Sequence, residues 1–390
     1  MSMTAEVLSS IDSIDEDRWN AIVGHNRLIC RHDYLRAVEA SQINDCRYFY
    51  PVVYENGEIV AHTCVYFIST ELDSFSQGLA KKTITGIRRA WKSFLMLRSV
   101  ECGTPVALGT TISFRTGIDR KEALSLIVQE VEGIAANLGV GVVLFRDFYA
   151  DELSFFDAFL ASGYRRIYNL PGSRLTVRWK SMEDYLRSLR SQYRYRAKKR
   201  IATFGDKGGE MELLHDFGQH AGELAALWRN SYDRAKEYRR EILPPVFFER
   251  IDSCLGGRSS TLVAKVDGKL AGFALLLHDD EILDWVFCGL DYACNETYCI
   301  YFNLLYNIVK TAIEGGFKAV DMGITTPLAK MEVGAEIVPL YMYMKHLNPI
   351  MNKIVPKAFE MMTPVNIPAQ RRAFADHPAE PATNTMGSTA

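Results

Sequence analysis

The same succession of apolar and polar patterns occurs twice along the chain. In the first half, two apolar runs flank an Asn56-Gly57 turn, a pattern that predicts a β-hairpin. Residues 120–137 then carry an apolar side chain every three or four positions, which predicts an amphipathic helix built on Ala123, Leu124, Ile127, Val131 and Ile134. Gly139 ends this helix, and the short apolar strand GVVLFRDF follows it.

The second half repeats that order. The strand RLTVRW leads to a long helix over residues 183–204 with Ser181 as its cap, and MELLHDF is the next strand. Helices over 219–237 and 245–255 precede three strands that are separated by turns at residues 267–269 and 279–280. A helix over 297–314 and the strands KAVDMGI and PLYMYMKH close the set. We therefore expect mixed α/β domains at residues 1–172 and 173–367, with a disordered tail at 368–390.

Composition fits two folded domains. The chain has 390 residues, of which 48% are hydrophobic and 24% charged, and its net charge of −2 gives no overall attraction to nucleic acid or an anionic membrane. None of its eight cysteines forms a CxxC pair, and no His/Cys spacing is typical of zinc, so we expect no metal and a reducing compartment. The N-terminus is acidic, and no apolar run reaches the length of a membrane span, so we expect a cytoplasmic protein.

Two segments are strongly basic. Residues 187–201 hold seven cations and no acid, and helical spacing places Arg190, Arg194 and Lys198 on one stripe. We expect this stripe to bind an anion, such as a phosphate, a lipid headgroup or a carrier-protein helix, in preference to forming a plain solvated face. Residues 81–98 carry six cations among apolar side chains. That composition is typical of a helix lying on the inner membrane surface and equally of a lid packed on the domain.

The element order and three motifs resemble a known family. The order of helices, antiparallel strands, helix and closing strands is similar to the GNAT acyltransferase fold. The basic helix RSLRSQYRYRAKKRI, the hairpin DGKLAGFALLLHDDEILDWVFCGLD and the segment GGFKAVDMGITTPLAKMEVGAE resemble the FemAB-like family of tandem GNAT folds. Together they cover residues 174–346. The Gln/Arg-x-x-Gly-x-Gly/Ala signature of simple GNAT enzymes is absent.

The resemblance implies transfer of an acyl group to an amine. We expect a thioester co-substrate, acyl-CoA or acyl carrier protein, and an acceptor such as a sphingoid base or another aminolipid. One alternative is an aminoacyl-tRNA-dependent transferase acting on a peptidoglycan precursor. Another is a non-catalytic module that binds a carrier protein or a membrane.

Candidate site residues follow from this chemistry. Lys330 matches the family's lysine position, where a cation would either polarise the acyl carbonyl or hold a carboxylate or phosphate of the donor. Asp284 and Asp321, both in apolar strands, are candidates for the general base, and for Asp284 an outward-facing role is as well supported. Tyr301 is predicted either to donate a proton or to be core. Thr297 and Tyr298, at a predicted helix start, are candidates for holding a pyrophosphate. Cys288 is interpreted as structural because no histidine lies near it in sequence.

Overall fold

The computed structural model describes residues 2–25, 27–71, 96–235, 240–363, 365 and 367–375 of the chain. Residues 81–95 of the second basic segment lie outside this range. Within these described residues, sixteen strands form two mixed sheets. In chain order, they are β1 Thr4–Leu8, β2 Arg47–Glu55, β3 Glu58–His62, β4 Val65–Glu71, β5 Met96–Cys102, β6 Ser113–Phe114, β7 Val142–Tyr149, β8 Arg165–Tyr168, β9 Gly172–Thr176, β10 Glu210–Leu214, β11 Ser259–Val266, β12 Lys269–His278, β13 Ile282–Leu290, β14 Ala319–Asp321, β15 Glu336–Val338 and β16 Leu340–His346.

Fourteen α-helices pack around these sheets in the described part of the chain. They are α1 Glu16–Asn20, α2 His32–Ala40, α3 Arg120–Asn137, α4 Leu153–Phe156, α5 Ala158–Ala161, α6 Met182–Ser188, α7 Ser191–Asp206, α8 Ala221–Arg234, α9 Pro245–Leu255, α10 Asn295–Tyr298, α11 Ile300–Glu314, α12 Pro327–Glu332, α13 Pro349–Asn352 and α14 Val355–Met362. Helix α3 has the predicted bounds, and its predicted apolar positions are all buried.

The first sheet has the order β6-β3-β2-β4-β5-β7-β16-β8, with β1 on β2, and the second has the order β10-β11-β12-β13-β14-β9-β15. Strand β16, which we assigned to the second half, pairs with β7 and β8 of the first sheet. The chain therefore returns to the first half before it ends. One apolar core also spans both halves, where Tyr34 and Leu35 of α2 share a cluster with Phe247, Phe248 and Ile251 of α9.

Each sheet contains a parallel pair of strands, and residues at the end of each pairing line the same cleft. Strand β5 pairs with β7 from Ser99 to Cys102, and β13 pairs with β14 only from Ile282 to Asp284. Strand β13 then continues from Trp285 to Leu290 without β14 beside it. Because β14 ends at Asp321, one edge of this part of β13 has no partner strand among the described residues, and the part lines the cleft.

The predicted helix over 183–204 is in fact two helices, α6 and α7. Ser181 caps α6 as expected, by accepting a hydrogen bond from the Asp184 N–H. The helix is interrupted at Leu189 and Arg190. There the Arg190 N–H donates to the Ala373 carbonyl at 2.9 Å, and Leu189 forms a β-bridge with Phe374. A distant segment satisfies the backbone groups at the break, so the local periodicity could not reveal it.

The segment after residue 367, expected to be a disordered tail, is packed as far as residue 375. Ala373 and Phe374 are buried, and the Phe374 ring lies 5.0 Å from Trp179. Residues 376–390 lie outside the described range. The predicted helix over 297–314 is likewise divided, because Cys299 adopts left-handed dihedrals (φ 53°, ψ 39°) between α10 and α11.

Candidate active site

The two halves enclose one large cleft of about 2090 Å³. Strand ends of the first sheet, including Glu101, Arg146 and Tyr149, line one side of it. The opposite side is built from the second sheet and α12. The cleft holds four residues proposed from the sequence as catalytic: Asp284, Tyr301, Asp321 and Lys330.

A row of charged residues crosses three neighbouring strands of the second sheet at the cleft. Asp284 on β13 pairs in register with Asp321 on β14, and Asp321 pairs in register with Arg174 on β9. Because directly opposed residues of a sheet point to the same face, the three side chains lie side by side. Residues that are 147 and 37 positions apart in sequence thereby form one site.

Asp321 is held from three directions. Its Oδ2 atom accepts hydrogen bonds from the Tyr149 hydroxyl and from Arg174 Nη2, both at 3.1 Å. Its Oδ1 atom accepts the N–H of Gly323 at 3.1 Å, and Gly323 has a positive φ of 70° that a glycine adopts without strain. Arg174 also donates to the Tyr149 hydroxyl at 2.9 Å, so the carboxylate has a fixed orientation.

The surroundings of Asp284, unlike those of Asp321, disfavour a negative charge on its carboxyl group. Burial, together with the negative charge of Asp321, raises the pKa of the Asp284 carboxyl well above its ordinary value, while Arg174 opposes the shift. A carboxylate with a raised pKa is a better proton acceptor near neutral pH. The pair thus consists of one carboxylate fixed by donors and one suited to exchange a proton.

Lys330 lies on the short helix α12 and only 1% of it is exposed. Its Nζ atom lies 5.1 Å from the centroid of the Trp285 ring, a cation–π geometry. Burial lowers the pKa of the Lys330 ammonium to about 7, although the charges of Cys288 and Asp321 favour the cation. Near neutral pH this lysine can therefore carry or release a proton.

Helix α12 is anchored by the residue two positions after Lys330. Glu332 accepts ion-pair hydrogen bonds from Arg200 at 3.0 Å, Arg371 at 3.1 Å and Arg196 at 3.3 Å. Arg200 belongs to the basic helix α7 and lies with its guanidinium 3.3 Å from the centroid of Phe302. The basic helix thus positions the lysine-bearing helix, and its Arg200 lines the cleft.

Tyr301 lies at the cleft wall and, like Lys330, is close to the Trp285 ring. Its hydroxyl is 2.6 Å from the Thr326 hydroxyl, and its ring is 6.0 Å from that of Trp285. Thr326 has left-handed dihedrals (φ 52°) immediately before α12. Burial raises the pKa of the Tyr301 phenol, which keeps it in the form that donates a proton.

The predicted anion stripe lies elsewhere. Arg190 Nε donates to the Phe374 carbonyl at 3.1 Å, and Arg194 Nη1 donates to the carbonyls of Arg187 and Leu189, both at 3.0 Å. These two arginines cap the break between α6 and α7, while Lys198 is exposed to solvent. None of the three is among the residues that line the cleft in the described part of the chain.

The predicted pyrophosphate positions also fall beside the cleft. Thr297 is exposed, and Tyr298 has Lys207 Nζ at 5.8 Å from its ring. Their neighbours Asn295, Glu296 and Cys299 line the cleft instead. Cys288 also lines it, and burial raises the pKa of its thiol to about 11, which does not favour a nucleophilic thiolate.

Sequence reasoning missed a second charged cluster, in which Glu101 of the first half meets Arg240 of the second half. The buried Glu101 accepts hydrogen bonds from Tyr66 at 2.7 Å, Arg240 at 2.6 Å and Arg146 at 3.0 Å. Burial opposes ionisation of Glu101, but the charges of Arg240 and Arg146 outweigh it and lower the pKa to about 2. Like Asp321, Glu101 accepts hydrogen bonds from a tyrosine hydroxyl and from arginine at the cleft. No local motif signals either set, because each is assembled from distant segments.

No cluster of His, Cys, Asp or Glu side chains in the described ranges is arranged to hold a metal ion. Nor is any helix among the described residues long and apolar enough to cross a membrane.

Comparison with known proteins gives a family and a fold. The sequence profile of the FemAB-like family, described as peptidoglycan biosynthesis/recognition, matches residues 10–365. The crystal structure of FemX has a TM-score of 0.56 at 13% identity, covering 90% of this chain and 99% of that one. A tandem GNAT protein from the clavulanic acid biosynthesis pathway has a TM-score of 0.51 at 11% identity, covering 89% and 99%. These likenesses confirm the predicted tandem GNAT architecture.

A curated relative is also similar in sequence. The putative 8-amino-7-oxononanoate synthase 2 of Mycobacterium tuberculosis (strain ATCC 25618 / H37Rv) is 27% identical over 324 residues, which are 81% of this chain. The match spans only 42% of the relative's length.

Proposed function

This chain belongs to the FemAB-like family, and from that membership and the geometry of the cleft we propose that it transfers an acyl group to an amine. The observation that carries the proposal is the grouping of Asp284, Asp321 and Lys330 in one cleft. The two carboxylates suit an ammonium group, and the lysine suits a carbonyl oxygen on which charge develops.

We propose a direct transfer without an acyl-enzyme. Asp284 takes a proton from the bound ammonium, whose neutral nitrogen then attacks the carbonyl carbon of the thioester. Lys330 stabilises the negative charge on the carbonyl oxygen. The C–S bond breaks and the departing thiolate takes a proton from Tyr301. The nitrogen gives its second proton to solvent as the amide forms. Solvent then returns a proton to Tyr301 through Thr326 and removes the proton held by Asp284.

The unpaired edge of β13 supports a binding position for the thioester donor. From Trp285 to Leu290 the strand has β12 on one side and no β14 on the other. An amide-bearing arm, such as that of a thioester carrier, can pair with such an edge as an added strand does. We therefore place the acyl-CoA or carrier-protein arm there, between β13 and the start of α11.

The acceptor proposed is an amine on an aliphatic chain, such as a sphingoid base or another aminolipid. The cleft wall beyond the charged row is apolar and includes Leu97, Leu144 and Met342. The name of the mycobacterial relative denotes an aliphatic acid with an amine beside a ketone, a related amine class. That relative is more than twice as long as the match, so its named activity is not transferred to this chain.

A second candidate is an aminoacyl-tRNA-dependent transferase. The family description, peptidoglycan biosynthesis/recognition, favours this candidate and implies a peptidoglycan precursor as acceptor. In that reaction an ester C–O bond breaks in place of the C–S bond, and the same carboxylates and lysine serve.

The test is a donor screen on purified protein with a mixed amine pool. Free thiol release would be followed with acetyl-CoA, long-chain acyl-CoA and acyl carrier protein, and transfer from charged tRNA would be followed with and without ribonuclease. Thiol release that needs both an amine and Lys330 supports the leading proposal. Transfer from charged tRNA alone, abolished by ribonuclease, favours the second candidate. Silence with every donor overturns both and favours a binding module.

A further inference from the structure

Helices α13 and α14 present an apolar surface to solvent. Ile350 is 72% exposed, Ile354 is 54% exposed and Met361 is 81% exposed. Lys353 and Ile354, between the two helices, keep right-handed helical dihedrals, so the chain from 349 to 362 is one bent helical segment. Positions 350, 354 and 361 recur at helical spacing and lie on one face, which we name the outer face.

The opposite face of the same segment is already packed. Val355 and Phe359 contact an apolar cluster on the first sheet that includes Leu144, Ile167 and Met342. Leu97, close to the end of the basic segment at residues 81–98, packs in the same cluster. The packed face, with Val355 and Phe359, is therefore explained by its contacts within the fold. The outer face instead leaves large apolar side chains exposed to water.

The outer face is cationic. Lys353 and Lys357 are exposed beside the apolar side chains, and no ion pair of either is found among the described residues. Glu360 is the single acid between residues 349 and 363, and it is paired with Arg165 at 2.8 Å. Apolar side chains flanked by free lysines match an anionic lipid surface in both polarity and charge.

The surface is continuous with the cleft. Met362 is 40% exposed and also lines the cleft, together with Phe359 and Val365. The apolar lining continues inward through Leu97, Leu144 and Met342. A hydrocarbon chain entering beside Met362 therefore stays in contact with apolar side chains on its way toward the charged row.

We propose that the outer face of α13 and α14 docks the protein on an anionic membrane surface, and that an amphiphilic substrate passes from the bilayer into the cleft beside Met362. The passage of an amphiphilic substrate into the cleft rests on the proposed function, whereas the docking on the membrane does not. Membrane binding and chemistry can therefore fail separately.

The experiment is vesicle co-sedimentation of the full chain with phosphatidylcholine alone and with phosphatidylcholine containing phosphatidylglycerol. The test variant is Ile350→Ser/Ile354→Ser/Met361→Ser, and the control is Tyr195→Ser, whose side chain is 67% exposed on α7. We expect the unchanged chain and the control to bind anionic vesicles, with partitioning lower by about tenfold or more in the test variant. Lys353→Gln/Lys357→Gln should weaken binding to anionic vesicles and remove its salt dependence.

Equal vesicle binding by the unchanged chain and the test variant would overturn the proposal, as would no binding by either. Light scattering of the same protein preparations measures the oligomeric state, and so tests whether a second copy of the chain covers the outer face instead. A dimer that becomes monomeric in the test variant would assign the outer face to a second copy of the chain and also overturn membrane docking. Lys330→Ala should bind vesicles normally, so loss of chemistry alone leaves this result unchanged. Because the three substituted side chains are exposed, the thermal midpoint should not change, and calorimetry checks this.

Discussion

Arg174 and Asp321 face each other on adjacent antiparallel strands, with Arg174 Nη2 at 3.1 Å from Asp321 Oδ2. The Tyr149 hydroxyl bonds to both residues. This triad brings strand β7 of the first sheet into contact with β9 and β14 of the second. It is therefore both part of the proposed site and a link between the two halves.

The link should be measurable as a coupling energy. We expect Arg174→Met and Asp321→Asn each to lower the free energy of unfolding by about 1–3 kcal/mol, because each removes one charge of a partly buried ion pair. The double variant should cost less than the sum of the two. Urea unfolding of all four proteins measures this, and strict additivity would show that the pair contributes no mutual stabilisation.

Lys330→Ala should lower kcat by about 10²–10³, the loss expected when one group that stabilises an oxyanion is removed. Lys310→Ala, an exposed lysine on α11, is the matched control and should retain full activity. The kcat/KM of the unchanged enzyme should also fall as pH rises through about 7, since the cation is then lost. Lys330→Arg should move that fall to higher pH, and an unmoved pH profile would argue against a role for the Lys330 cation.

The same lysine should make stability depend on pH. Its pKa is about 7 in the folded protein against an ordinary 10.5, so between these values the unfolded chain binds more protons. This group therefore destabilises the fold fully below about pH 7, and its penalty disappears as pH approaches 10.5. We expect the stability advantage of Lys330→Met over the unchanged chain to shrink with rising pH, by at most about 1.4 kcal/mol per unit. Denaturant unfolding at pH 7, 8 and 9 tests this, and a constant difference would contradict it.

Asp284→Asn should abolish the proton acceptor while keeping its shape. We expect a fall in kcat of about 10²–10⁴ with no loss of thermal stability, because the amide removes a carboxylate that burial disfavours. Asp280→Asn, at an exposed position four residues earlier, is the matched control. Near-normal turnover by Asp284→Asn would transfer the role of base to Asp321.

Phe374→Ala tests whether the C-terminal segment belongs to the fold. The Phe374 side chain is 3% exposed and packs on Trp179 and Tyr185. We expect a loss of about 3–5 kcal/mol in the free energy of unfolding, typical of removing a buried phenylalanine. Arg372→Ala, at a more exposed neighbouring position, should be close to neutral. A neutral effect of Phe374→Ala in guanidinium unfolding would return this segment to the tail predicted from the sequence.

Local pattern determined the elements of this fold. The bounds of α3 and α9, the Asn56-Gly57 hairpin and the cap of α6 at Ser181 all depend on residues within a few positions of each other. The sequence also placed Asp284, Tyr301, Asp321 and Lys330 among the candidates, through strand polarity and the family resemblance.

Only the tertiary structure decided which of those residues meet. Strand register brings Arg174 and Asp284 to opposite sides of Asp321, and the crossing of β16 brings a strand of the second half into the first sheet. The break in the basic helix depends on Phe374, almost two hundred residues away. The reason is physical. Periodicity reports on neighbours along the chain, whereas hydrogen-bond partners and charge pairs are set by strands that pair across long loops. The sequence alone therefore predicted a cationic stripe at Arg190, Arg194 and Lys198, whereas in the fold Arg190 bonds to the carbonyl of Phe374 and Arg194 to the carbonyls of Arg187 and Leu189.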